Sequence, residues 1–197
     1  MKIIYTRVFP VLLLTALASG CAKGPPPEFY VLNPTAPAAL PGFEQGVTIG
    51  IGPVTLPPHL DRNQIVSQVD STKLLLSEMN QWAEPMKAGV TRVLLMTIGL
   101  QLDSNRIYAL PLRQRRAMDY QVAVDVLRLG GALGKSAVLA ARWILLSGDG
   151  KKVLSSKVSR IEEPTAGPTM NDYVQAQSRA LSALGKQIAA HIKEKRS

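Results

Sequence analysis

Cys21 is the one cysteine in the chain, and it ends the run Leu17-Ala18-Ser19-Gly20-Cys21. Its sulfur can carry a lipid or remain a free thiol, and the residues before it bear on which. Upstream lie Lys2 and Arg7, then an apolar run from Val8 to Leu14 broken by Pro10, then small residues. A basic start, a short apolar centre and a small-residue cleavage site are the layout of a secretory signal peptide. The apolar run is far shorter than the ~20 residues a spanning helix needs, so it is not a lasting transmembrane anchor.

The segment ending at Cys21 resembles a bacterial lipobox, in which the cysteine is lipidated on sulfur and becomes the first residue of the mature protein. A lipobox usually has Leu three residues before the cysteine. Here that position is Ala18, with Leu17 one step further off. The other outcome is ordinary cleavage after Ala16-Leu17-Ala18, which leaves a periplasmic protein with one free thiol.

Other chemistry is hard to build from this chain. Gly134-Lys135-Ser136 looks like the end of a phosphate-binding loop, but Leu129 occupies the place of the first glycine. Gly50-x-Gly52 lacks its third glycine, because Thr55 stands there. His59 and His191 are far apart in sequence and lie in no metal-ligand cluster. No serine sits in a Gly-x-Ser-x-Gly elbow. Glu162-Glu163 reads as a solvated strand end. The expectation is a protein that is not an enzyme and carries no cofactor or metal.

Composition agrees with an exported domain. Hydrophobic residues are 46% of the chain and charged residues 19%, a globular balance. Aromatics are only 5%, so the core must be built of Val, Ile, Leu and Ala. A single cysteine allows no internal disulfide. The net charge of +9 could suit nucleic acid, but an exported protein meets little of it. An anionic membrane surface or an acidic partner is the better reading. Arg113-Gln114-Arg115-Arg116 is the densest basic patch, either a solvated loop or a contact for such a surface.

These residues need a scaffold, and its elements are legible in the spacing. Residues 1–20 are the signal peptide, and 21–46 hold the cysteine, a Pro-rich tether and a first strand, Glu28 to Leu32. Residues 47–197 form one domain. Pro25-Pro26-Pro27 favours an extended spacer. Val47, Ile49 and Ile51 alternate with Thr48, Gly50 and Gly52, a strand whose small face must be closely approached. Residues 64–69 and 73–76 read as two strands of a meander. Pro85 opens an amphipathic helix to about 102, carried by Met86, Val90, Val93, Leu94 and Thr97. A short strand follows near Tyr108. Tyr120, Val122, Val124 and Val126 alternate with Gln121 and Asp125, a half-buried strand. Residues 136–146 form a more apolar strand, and the turn 147–150 leads into another over 152–162. Thr169 and Asp172 make a capping-box pattern ahead of a helix over 170–194. The expected fold class is α/β of the α+β type: a mostly antiparallel sheet with two amphipathic helices on one face.

Several of these segments together resemble the ABC-type transport auxiliary lipoproteins, also called the PqiC-like family. They are Phe29-Tyr30-Val31-Leu32, the long run from Ile49 to Arg62, Trp82-Ala83-Glu84-Pro85, Asp119-Tyr120-Gln121-Val122, Ala141-Arg142-Trp143 and the helix from Tyr173 to Ile192. The run from Ile49 is the most specific, with His59 where an aromatic is common.

The resemblance implies a lipoprotein subunit of an Mce-type, Pqi-like lipid transport system. Such a subunit docks a periplasmic conduit built from Mce domains, a PqiB-like partner, to the outer membrane. It implies no catalytic residue. Ala22 stands where Asp would signal retention at the inner membrane, which points to the periplasmic face of the outer membrane. The candidate partner-facing residues are Pro57, Pro58, Asp61, Arg62, Trp82 and Glu84; fold maintenance is the alternative role, and for Trp82 it is the anchoring of the first helix. A homo-oligomer is compatible with all of this. The competing function is a periplasmic lipid-binding carrier, which would need an apolar cavity.

Overall fold

A computed structural model describes residues 25–35, 46–112, 114 and 116–196. Cys21, Ala22, Arg113 and Arg115 lie outside the described residues.

The strands are β1 (Glu28–Tyr30), β2 (Ile49–Thr55), β3 (Gln64–Gln68), β4 (Leu74–Trp82), β5 (Ile107–Ala109), β6 (Tyr120–Ala132), β7 (Ser136–Ser147) and β8 (Val153–Pro164). Helix α1 spans Met86–Leu102 and α2 spans Met170–Arg196. The α+β class and the run of elements agree with the sequence reading. The strands divide into two sheets, a small one ordered β1-β4-β3 and a larger one ordered β5-β2-β6-β7-β8.

The long pairs β6–β7 and β7–β8, and the hairpin β3–β4, are antiparallel. The short strands add parallel pairs: β1 with β4, and β2 with both β5 and β6. Parallel neighbours require a long crossover. Between β2 and β6 that crossover holds β3, β4, α1 and β5, which is how the second sheet arises. Leu133-Gly134-Lys135 forms the turn between β6 and β7, with Lys135 N–H on Ala132 O, and Ser136 opens β7, so the Gly134-Lys135-Ser136 segment is a hairpin corner as expected.

Both helices cover one face of the larger sheet. α1 lies over β2 and β5, α2 over β7 and β8, and the helices pack on each other. Val122, Val124 and Val126 are all buried beneath them, as the alternation predicts. The small face of β2 is indeed crowded: a Cβ on Gly50 would come within 2.6 Å of Met118 Sδ and 2.8 Å of Leu110 Cδ1. At the helix crossing, a Cβ on Gly185 would meet Thr97 Cγ2 at 2.8 Å. Glycine there lets the two helices approach so closely.

The helix ends follow local chemistry. Asp172 N–H donates to Thr169 Oγ1 at 3.1 Å and Thr169 N–H donates to Asp172 Oδ2 at 3.2 Å, a reciprocal cap on α2. α1 ends at Asp103, whose left-handed backbone closes the last turn. α1 is less one-sided than its sequence suggests. No residue of it from Gly89 onward is fully exposed, because α2, the larger sheet and the chain after β1 all lean on it.

Tyr173 ties these layers together. Its side chain is fully buried, and its hydroxyl donates toward Val66 O in β3 and Gly131 O in β6, each at 3.2 Å. Burial pushes this hydroxyl up to about 12. The folded state therefore holds the proton more tightly than the unfolded chain does. The stabilisation is fully present below pH about 10 and lost as pH rises toward about 12.

Three stability outcomes follow. Val124→Asp places a charge in the core and lowers the urea midpoint by the equivalent of several kcal/mol, whereas Gln121→Asp costs far less. Gly185→Leu overpacks the helix crossing and costs about 1–3 kcal/mol. Tyr173→Phe costs about 1–2 kcal/mol at neutral pH. The same variant flattens the loss of stability between pH 10 and 12 that circular dichroism reads in the unchanged chain.

Candidate docking surface

The run from Leu56 to Arg62 leaves the end of β2 as a rigid corner. Pro57 and Pro58 restrict the backbone, and Pro58–Leu60 forms one 3-10 turn. Leu60 N–H donates to Pro57 O at 2.9 Å, Asp61 N–H to Pro58 O at 3.2 Å and Arg62 N–H to Leu60 O at 3.0 Å. Leu60 points inward and is buried, while Leu56 is partly buried against the core. These two apolar residues pin the corner. Pro58, His59, Asp61 and Arg62 are exposed on it.

The corner meets the second predicted segment through the backbone. Trp82 N–H donates to Asn63 O at 2.7 Å, and Ala83 N–H donates to Tyr30 O at 2.9 Å. Residues far apart in sequence thus come together at the base of the smaller sheet. Two of the candidate docking residues change role there. Trp82 is buried at 6% exposure and pairs with Tyr30 across β1 and β4, so it packs the core and offers no docking face. Glu84 forms an ion pair with Arg92, whose Nη2 also donates to Leu32 O at 2.7 Å. Glu84 therefore braces α1 against the chain that follows β1. Pro57, Pro58, Asp61 and Arg62 remain as the surface.

A groove of about 340 Å³ opens beside this corner, lined by His59, Leu60, Thr72, Leu74, Leu127 and Arg128 among others. A second groove of about 410 Å³ runs between β1 and α2. Its lining mixes Phe29, Tyr30 and Val174 with Asn33, Asn171, Gln175 and Arg179. Both grooves open to solvent, unlike the enclosed apolar cavity a lipid carrier would use.

One arrangement that the sequence hid involves His191. Its Nε2 lies 2.8 Å from Ser155 Oγ, and its Nδ1 lies 3.1 Å from both Glu194 Oε2 and Lys157 Nζ. Serine, histidine and acid stand in the order of a nucleophilic triad, but the surroundings oppose that use. Nδ1 is shared between a carboxylate and an ammonium, whereas the Nδ1 of a triad is held by its acid alone. Ser155 also lies within β8, paired with Leu145 of β7, not on an exposed elbow. The ring packs edge-on against Trp143, with centroids 5.5 Å apart, so it locks α2 to β7 and β8.

Of the basic patch, Arg116 rests over the Tyr108 ring at 4.6 Å, which gives one of its charges a local partner. Among the described residues, no group of His, Cys, Asp and Glu is placed to hold a metal ion. No described helix is long and apolar enough to cross a membrane.

A two-sheet α+β domain with both helices on one face and a proline-stiffened charged corner is the architecture that known proteins can be compared with. The ABC-type transport auxiliary lipoprotein component family matches residues 30–189, and the chain belongs to that family. A crystal structure of an uncharacterized protein superposes with a TM-score of 0.70 at 15% identity, covering 85% of this chain and 99% of the other. Protein XCC0632 from Xanthomonas campestris gives 0.64 at 16% identity, covering 86% and 100%. Both likenesses concern the fold. The PelC dodecamer from Paraburkholderia phytofirmans is more distant, at 0.41 and 10% identity over 76% of this chain and 91% of that one. No curated protein matches the chain.

The corner and the core separate cleanly under substitution. Asp61→Arg and Arg62→Asp change folding stability by about 0.5 kcal/mol or less, because both side chains are exposed. Trp82→Ala costs about 3–5 kcal/mol. Urea titration of the three variants followed by circular dichroism reads the difference.

Proposed function

We propose that this protein is a non-enzymatic outer-membrane lipoprotein subunit of an Mce-type lipid transport system. Its domain docks the end of a periplasmic conduit, and a lipid on Cys21 holds it to the membrane. The observation that carries this reading is the auxiliary-lipoprotein family match across residues 30–189. The signal-peptide layout ahead of Cys21 and the alanine after it support the anchor and its destination.

The docking residues under this reading are Pro57, Pro58, Asp61 and Arg62. A stiff turn loses little conformational freedom when a partner seats on it. The opposite charges of Asp61 and Arg62 set orientation, since like-charge clashes across an interface cost several kcal/mol. A periplasmic lipid carrier is the competing function, and stoichiometric lipid co-purifying with the domain would favour it.

Anchoring is tested by Cys21→Ala, which gives an unprocessed or soluble protein that takes up no labelled fatty acid. Ala22→Asp shifts the protein toward the inner membrane in fractionated cells. Docking is tested by pull-down of the Mce-domain protein. Asp61→Arg and Arg62→Asp weaken capture while their circular dichroism is unchanged, and Asp149→Arg in the β7–β8 turn captures normally. Full capture by both corner variants would remove the docking assignment.

A further inference from the structure

The β3–β4 hairpin leaves a group of apolar residues exposed. Leu74, Leu75 and Leu76 are 41%, 53% and 37% exposed, Val69 at the turn is 55% exposed and Met79 is 39% exposed. The register pairs Gln68 with Leu74, Ser67 with Leu75 and Val66 with Leu76. Leu74 and Leu76 therefore share one face and Leu75 takes the other. Scattered exposed apolar residues are ordinary. Three consecutive leucines presented on both faces of one hairpin mark a contact surface.

We propose that the outer end of the β3–β4 hairpin is a membrane-contacting element, seating the domain on the lipid bilayer that holds the Cys21 anchor. This rests on the anchorage of Cys21 set out above. The length and direction of the tether select a bilayer as the occupant. β1 runs parallel to β4, with Glu28 beside Asn80, so the chain enters β1 from the Leu74 end of β4. From Asn80 back to Leu74 is six strand residues, about 20 Å. From Glu28 back to Cys21 is seven residues, including Pro25-Pro26-Pro27, a length that can span up to about 22 Å. That reach equals the distance along β4, so the chain is long enough to bring a lipid on Cys21 to the level of the hairpin end.

The charges at that end sum to zero. Asp70 and Lys73 carry opposite signs on an exposed turn, and the Asp70 carboxylate accepts the N–H groups of Thr72 and Lys73 at 2.9 and 2.8 Å, which suits the polar headgroup layer beside the inserted leucines. Apolar burial then supplies the attraction, and binding strength follows the apolar area inserted.

The test uses Leu75→Cys bearing a polarity-sensitive fluorophore, with Val158→Cys on β8 as the control position. Acylated protein is reconstituted in phosphatidylethanolamine–phosphatidylglycerol vesicles that contain brominated lipid, and mass spectrometry reports whether Cys21 is acylated. The label at 75 shifts to the blue and is quenched several-fold more than the label at 158. Equal quenching at the two positions in acylated protein overturns the proposal. A shift at 75 that follows protein concentration at fixed lipid makes the surface a contact between copies, and a shift that requires an added protein makes it a protein-docking site; either overturns it.

The Cys21→Ala chain with the same label separates the hairpin from the anchor. Titrated with vesicles, it gives the same shift at higher lipid concentration, and no shift at any concentration overturns the proposal. Missing acylation sinks the anchor reading alone. Leu74→Ser/Leu75→Ser/Leu76→Ser in acylated protein leaves vesicles several-fold faster while its circular dichroism is unchanged. Unchanged residence on vesicles counts against the hairpin.

Discussion

Tyr173 Oη sits between carbonyls of two sheets that share no hydrogen-bonded strand pair. The smaller sheet is held to the larger by side-chain packing, by the hydrogen bond that Arg128 of β6 donates to Gln68 of β3, and by this contact from α2. An unpaired hydroxyl in such a place would be costly, so the phenol accepts only arrangements in which Val66 O or Gly131 O is within reach. That makes it a geometric gauge for the joint. The docking corner, the hairpin and the entry of the tether all belong to the smaller sheet or border it. Their position relative to the helices depends on this joint.

Much of the fold is readable in the sequence because its longest elements carry clean periods. The valines of β6, the apolar run of β7 and the turn Ser147-Gly148-Asp149-Gly150 mark an antiparallel unit that forms by local pairing. Thr169 and Asp172 place the start of α2 to the residue. The division into two sheets is not readable, because parallel pairing is set by crossovers that leave no mark on local alternation. β4 illustrates the difficulty. Its leucines break the two-residue period, and its pairing with β3 slips between Gln64 and Ile65, so the strand runs on to Trp82 well past its apparent end at Leu76.

The candidate surface is legible where exposure follows from stiffness. Pro57-Pro58 followed by charged residues reads as an exposed corner, and Leu60 reads as its inward pin. Trp82 and Glu84 belong to the same neighbourhood, but their roles depend on partners distant in sequence. Trp82 meets Tyr30 and Asn63, and Glu84 meets Arg92. The sequence could group these residues with the corner without saying which way each side chain faces. The lock around His191 was hidden for the same reason, since its partners come from β7, β8 and α2.

The chain enters the folded domain through β1, only three residues long and laid parallel to β4. So short a strand adds little to folding. Under load it behaves differently. Tension that enters along the strand axis is borne by the rungs between β1 and β4 together, in shear, instead of opening them one after another. Behind them, Leu32 is buried and Arg92 grips its carbonyl, a stop that must fail before the strand can slide out. Under the proposed anchorage and docking, a pull on the domain would thus pass into its core through a mechanical clamp at β1.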